Sequence, residues 1–115
     1  MIVSKMNARD LELFRLKAEL CKTFSDPKRL IILDELRKGE KAVGELAQIL
    51  GISQAVVSRQ LAILREKGVV TPRREGTNVF YRLADDKICE ACDLVHEILI
   101  KQIEKNRELS DRLIS

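Results

Sequence analysis

Residues 44–68 read GELAQILGISQAVVSRQLAILREKG, and the fold turns on how this stretch is punctuated. Val43, Leu46, Ala47 and Leu50 recur at i, i+3, i+4 and i+7, the spacing of one buried helical stripe. Gly51 supplies the left-handed residue that ends such a helix. Ser53 can cap the next helix, whose buried face is Val57, Leu61 and Leu64 and which Gly68 ends. Two short helices joined by Gly51-Ile52-Ser53 make a helix-turn-helix. Gln54 starts the second helix, and Ala55, Ser58, Arg59 and Ala62 form its outward face. Small residues let a backbone approach a major groove, while Gln and Arg pair bidentately with base edges. Base contacts are expected mainly from its N-terminal half, at Ser53, Gln54, Ala55 and Ser58. Arg65 lies further along, where it would meet phosphate or pack as a surface residue.

On the C-terminal side the period changes. Val69-Val70-Thr71 reads as a short strand, and Val79 to Leu83 reads as a second, with β-branched and aromatic content. The polar, Gly-containing Arg73-Arg74-Glu75-Gly76-Thr77-Asn78 joins them as a hairpin. Pro72 cannot donate to a ladder and so places its strand at a sheet edge. The hairpin presents Arg73 and Arg74 as a wing able to reach the DNA backbone or minor groove. A final helix is predicted from Asp85 or Asp86 to about Leu109 or beyond. Its apolar residues (Ile88, Cys92, Leu94, Val95, Ile98, Leu99, Ile100, Ile103) cover more than one stripe. That excess is read as a dimer interface.

On the N-terminal side, Leu11, Phe14, Ala18 and Cys21 form one stripe of a first helix. Asp26-Pro27 restarts the pattern, with Asp26 as cap and Pro27 at the first helical position. The LIILDEL of residues 30–36 is apolar on more than one face, so this second helix should be buried, and it stops near Gly39. The expected fold class is mainly α with a β-hairpin. It comprises about five helices and a two-stranded wing in a single domain over residues 1–115, dimerised through the first and last helices.

Composition narrows the function. The 115 residues include 21 Lys and Arg against 18 Asp and Glu, a net of +3. From Ser53 to Arg82, six basic residues face two acidic ones; from Leu83 to Ser115, five face eight. The central thirty residues therefore carry the positive potential, the footprint of a module whose middle faces phosphates. Only Phe14, Phe24, Phe80 and Tyr81 are aromatic, which speaks against a stacking platform for single strands. No apolar run approaches the roughly 20 residues that a bilayer requires. Three cysteines, an odd number, fit a reducing compartment and a cytoplasmic protein. There is no phosphate-cradling Gly-rich loop and no H-E-x-x-H, and a single His argues against a hydrolytic triad. An enzyme is not expected.

The motifs SDPKRLIIL, GELAQILGISQAVVSRQLAILREKG and RREG followed by VFYRL occur in that order, and the segment from about Ser25 to Asp85 resembles the ArsR (ArsR/SmtB) family of winged-helix repressors. The resemblance implies a homodimer that represses an operon by binding an imperfect palindrome of double-stranded DNA. It also implies that no cofactor is required for binding. The family's recognition helix usually reads Ser-x-His-Leu; here Ser58, Arg59, Gln60 and Leu61 stand there, so Gln60 keeps hydrogen-bonding capacity without a titratable group. Thr77 and Asn78 at the wing tip are expected DNA contacts too, although Thr77 stands where the family often carries Arg, so the tip is less basic than usual. Ala42 stands where Ser or Thr often caps the third helix, which should weaken that cap by about 1 kcal/mol.

Family members that answer to arsenite often carry Cys-Val-Cys in the third helix, and zinc sensors pair Asp with His across the last helices. Here the first stretch is Ala42-Val43-Gly44, and His96 is the chain's one histidine, so neither site is present in its usual form. Cys89, Cys92 and His96 share a face of the last helix at i, i+3 and i+7. The resemblance packs that helix on the first, which would bring Cys21 near them. Such thiolates would suit a soft metal or metalloid ion, or would sense oxidants or sulfane sulfur. The alternative is that they are packing residues, since free Cys is among the most buried residue types. A winged helix used only for protein contact is the competing functional class. Arg59, Arg65, Arg73 and Arg74 beside a small-residue face favour DNA.

Overall fold

In the computed structural model, which describes residues 7–114, local chemistry starts and stops the helices as the sequence suggests. Asn7 caps α1 (Ala8–Thr23) by accepting a hydrogen bond from the Asp10 amide at 2.9 Å. Asp26 caps α2 (Pro27–Arg37), its Oδ1 accepting from the Lys28 and Arg29 amides at 2.7 and 3.4 Å, with Pro27 in the first turn. A two-residue strand, β1 (Lys41–Ala42), leads into α3 (Val43–Leu50). Then come α4 (Gln54–Glu66), β2 (Val70–Glu75), β3 (Asn78–Leu83) and α5 (Lys87–Ile114). The chain divides into two compact units, one ending at Ala84 and the other beginning at Asp85.

The first unit holds the core. Ile32, Leu33 and Leu36 of α2 meet Leu46 and Ala47 of α3, Val57, Leu61 and Leu64 of α4, and Val69 and Val70 at the start of the hairpin; all are buried. Burying each of the larger side chains contributes about 1.5–3 kcal/mol, so these residues fix the positions of the three helices. The expectation that α2 is buried on more than one face is met only in part. Leu30 and Ile31 remain 41% and 47% exposed in the single chain.

The expected two-stranded wing is β2 and β3, and a strand the sequence reading lacks, β1, extends it to a three-stranded sheet in the order β1-β3-β2, because Lys41 and Ala42 pair antiparallel with Tyr81 and Phe80. A two-residue strand shows no alternation that a sequence could reveal. The connector is also shorter than six residues, since the ladder runs on to Glu75 opposite Asn78 and leaves only Gly76-Thr77 as the turn. Gly76 has φ +62° while Thr77 stays negative, the arrangement of a type II′ turn with glycine first. Pro72 does lie on an edge strand.

The second unit is essentially one helix. Asp85 Oδ1 accepts from the Lys87 amide at 2.9 Å, and α5 then runs for 28 residues, with none of them buried. At 1.5 Å per residue it is about 42 Å long.

Candidate nucleic-acid interface

The helix-turn-helix is built on Gly51. Its φ of +68° and the bonds from the Gly51 and Ile52 amides to the Ala47 carbonyl (2.9 and 3.2 Å) end α3 and turn the chain sharply. Ser53 Oγ accepts from the Val56 amide at 3.2 Å and starts α4, so that α3 and α4 bend by 113°. That lies in the range of DNA-reading helix pairs. α3 begins with less support. Ala42 has no oxygen to offer, and only the return half of a capping box forms, with Glu45 Oε1 accepting from the Ala42 amide at 3.0 Å.

Burial of Val57, Leu61 and Leu64 fixes the rotation of α4 and so turns Ser53, Gln54, Ala55, Ser58, Arg59, Ala62 and Arg65 to solvent. Among the described residues, no hydrogen bond or ion pair holds the Arg59 or Arg65 guanidinium. Gln60 stands apart from this face. It is half-buried, and its Oε1 accepts from Arg29 Nη1 at 3.0 Å. Arg29, whose side chain is 14% exposed, also donates from Nε to the Thr23 carbonyl at 2.7 Å and lies 3.9 Å from Asp26. One guanidinium thus ties the end of α1 and the start of α2 to α4. Sequence spacing gives no sign of a bond between residues 29 and 60.

Arg73, Arg74, Thr77 and Asn78 are all exposed on the wing, but the two arginines differ. Successive strand residues point to opposite faces. Arg73 pairs with Phe80 and stacks on its ring at 4.9 Å, whereas Arg74 pairs with Val79 on the other face. Arg73 Nε donates to Glu40 Oε1 at 2.7 Å, Nη2 donates to the same oxygen, and Nη1 donates to Glu75 Oε2 at 2.9 Å. These hydrogen bonds hold the Glu40 carboxyl below its ordinary 4.5 and raise the Arg73 guanidinium further. Arg74 has no such partner among the described residues. Glu40 escapes a sequence reading because β1, which it precedes, is too short to see.

The cysteines divide between the units. Cys21 is exposed near the end of α1, Cys89 and Cys92 are half-buried one turn apart on α5, and His96 is exposed on the same helix. Among the described residues, no three His, Cys, Asp or Glu side chains gather in a group able to hold a metal ion. Nor is any single helix among them long and apolar enough to cross a membrane.

Known proteins share this arrangement. Residues 26–71 match the family described as bacterial regulatory protein, arsR family. The chain is 42% identical over 85 residues to the biofilm growth-associated repressor of Xylella fastidiosa (strain Temecula1), covering 74% of this chain and 75% of that protein. The crystal structure of Rv0081 from Mycobacterium tuberculosis superposes with a TM-score of 0.76 at 35% identity, covering 82% of this chain and 95% of that one. The homodimeric winged helix-turn-helix DNA-binding domain of Mb0332 from Mycobacterium bovis gives a TM-score of 0.76 at 32% identity, covering 84% and 89%. These relatives are regulators and not enzymes, and the chain, with its winged helix-turn-helix, belongs to the arsR family of bacterial regulatory proteins.

Proposed function

We propose that the protein is a homodimeric, cytoplasmic repressor that binds double-stranded operator DNA through α4 and the wing, both units serving one DNA-binding domain. The observation that carries this reading is the solvent-facing surface of α4, where Gln54, Ser58 and Arg59 stand among small residues and, among the described residues, no side chain holds Arg59. Gln54, Ser58 and Arg59 read base edges, Arg74 anchors phosphate, and Arg65, Thr77 and Asn78 lie along the flanks. Dimerisation is supported by the homodimeric Mb0332 relative and by the exposed apolar residues of α1 and α5. No cofactor is needed for DNA binding.

The test is titration of the protein's own promoter fragment against mixed-sequence duplex. Arg59→Ala should cost about 1–3 kcal/mol on the promoter fragment and flatten the preference between the two DNAs. Arg74→Ala should weaken both alike and lower the salt slope by about 1. If the two substitutions leave both titrations unchanged, the winged helix serves protein contact instead. In a reporter driven by that promoter, expression of the protein should reduce transcription, and a rise would overturn the repressor assignment.

Cys89 and Cys92 are read as packing thiols of α5. A soft metal or metalloid acting through them would release promoter DNA from the wild type but not from Cys89→Ser/Cys92→Ser, and that comparison decides their role.

A further inference from the structure

The wing carries an acidic counterweight to its own arginine. Arg73 lies beside Arg74 in sequence, yet all three of its guanidinium nitrogens donate to carboxylates, two of them to Glu40 and one to Glu75. Glu40 comes from 33 residues earlier, at the entry to β1, so the clamp joins the wing to the body of the domain. The Phe80 ring supports the guanidinium from the paired strand. A planar fork of this kind fits carboxylate and phosphate alike. Phosphate oxygens approaching the wing therefore meet an arginine that is already occupied.

We infer that Glu40 and Glu75 set the strength of the wing's grip on DNA by withholding Arg73 from phosphate. This rests on the DNA-binding reading above and deepens it. With Arg73 neutralised, sequence-independent attraction falls mainly to Arg74 on the opposite face of the hairpin. Less of the affinity is then spent on random sequence, and more of the discrimination is left to α4. The two carboxylates act by occupying the Arg73 fork, which removes an attraction that every sequence would share.

The experiment is a double-mutant cycle read as the salt dependence of binding to mixed-sequence double-stranded DNA. The four proteins are the wild type, Arg73→Gln, Glu40→Gln/Glu75→Gln and the triple variant. Each cation brought onto a phosphate steepens the slope of log K against log salt by about 0.9. In the Glu40→Gln/Glu75→Gln protein, Arg73 is released, so the slope steepens by about that amount per wing, and adding Arg73→Gln removes it. In the wild-type background Arg73→Gln alters the slope by far less. An equal loss in both backgrounds overturns the inference, because the carboxylates then withhold nothing. No loss in either background also overturns it, since Arg73 then never reaches phosphate. A gain that survives in the triple variant shows simple repulsion by Glu40 and Glu75, again against the inference. Failure of the wild type to bind any duplex is a different result and removes the DNA-binding reading itself.

Discussion

At Ala42 the backbone is ready for a capping residue that the side chain does not supply. Its φ of −82° and ψ of 159° are the extended values of an N-cap, and Glu45 already bonds back to its amide. Ala42→Ser adds the missing acceptor without moving the chain and should raise stability by about 1 kcal/mol, read as a higher urea midpoint at unchanged slope. An unchanged midpoint would mean that the Glu45 bond and β1 pairing already hold the first turn of α3. Ser53, by contrast, was legible as a cap from its place between Gly51 and the α4 stripe, because capping is a local matter of a few residues. The partners of Gln60 and Arg73 were not legible. Arg29 lies 31 residues from Gln60 and Glu40 lies 33 from Arg73, and only the packed fold brings them together.

At the level of elements, helical periodicity carried most of the information. The α4 stripe names its buried residues, and the α3 stripe names two buried residues, Leu46 and Ala47, flanked by half-buried Val43 and Leu50, because each helix presents a single face to one core. α2 is less buried than its sequence implies, since Leu30 and Ile31 add apolar character that the single chain leaves exposed. The wing is longer than its sequence implies, because charged Arg73, Arg74 and Glu75 look like loop but sit on an edge hairpin where charge is welcome. The joint between elements with most at stake is Arg29. It is mostly shielded, and its fork satisfies the Thr23 carbonyl and the Gln60 oxygen together. Arg29→Ala strands both acceptors in a half-buried place and should cost about 1–3 kcal/mol in urea unfolding. Arg29→Lys keeps the charge but cannot serve two acceptors in one plane, so it should recover only part of the loss. Full recovery by Lys would show that charge beside Asp26, and not the fork, secures α4.

For the whole molecule, the distribution of charge and of apolar surface point the same way. The modest net of +3 conceals a basic centre and an acidic stretch from Leu83 to Ser115, so the C-terminal segment that holds α5 is better suited to a protein partner than to phosphate. α5 has no buried residue of its own, yet Leu94, Val95, Ile98, Leu99, Ile100 and Ile103 stand exposed along it, and Leu11, Leu13, Phe14, Leu16 and Leu20 stand exposed on α1. Surfaces this apolar are rarely left to water, and a second copy of the chain supplies a matching one. Two-fold pairing also suits the recognition helix, because a dimer reads two half-sites about 34–36 Å apart on one side of the duplex. Placing a carboxylate within this surface, as in Ile98→Glu, buries an unpaired charge at the interface and leaves the core of the first unit untouched. Sedimentation equilibrium should then report one chain's mass where the wild type reports two. The promoter fragment should be bound with much lower affinity while mixed-sequence binding per chain changes little, since each monomer retains α4 and Arg74 but loses the linkage between half-sites. A variant that stays dimeric with full promoter affinity would place the interface elsewhere than on α5.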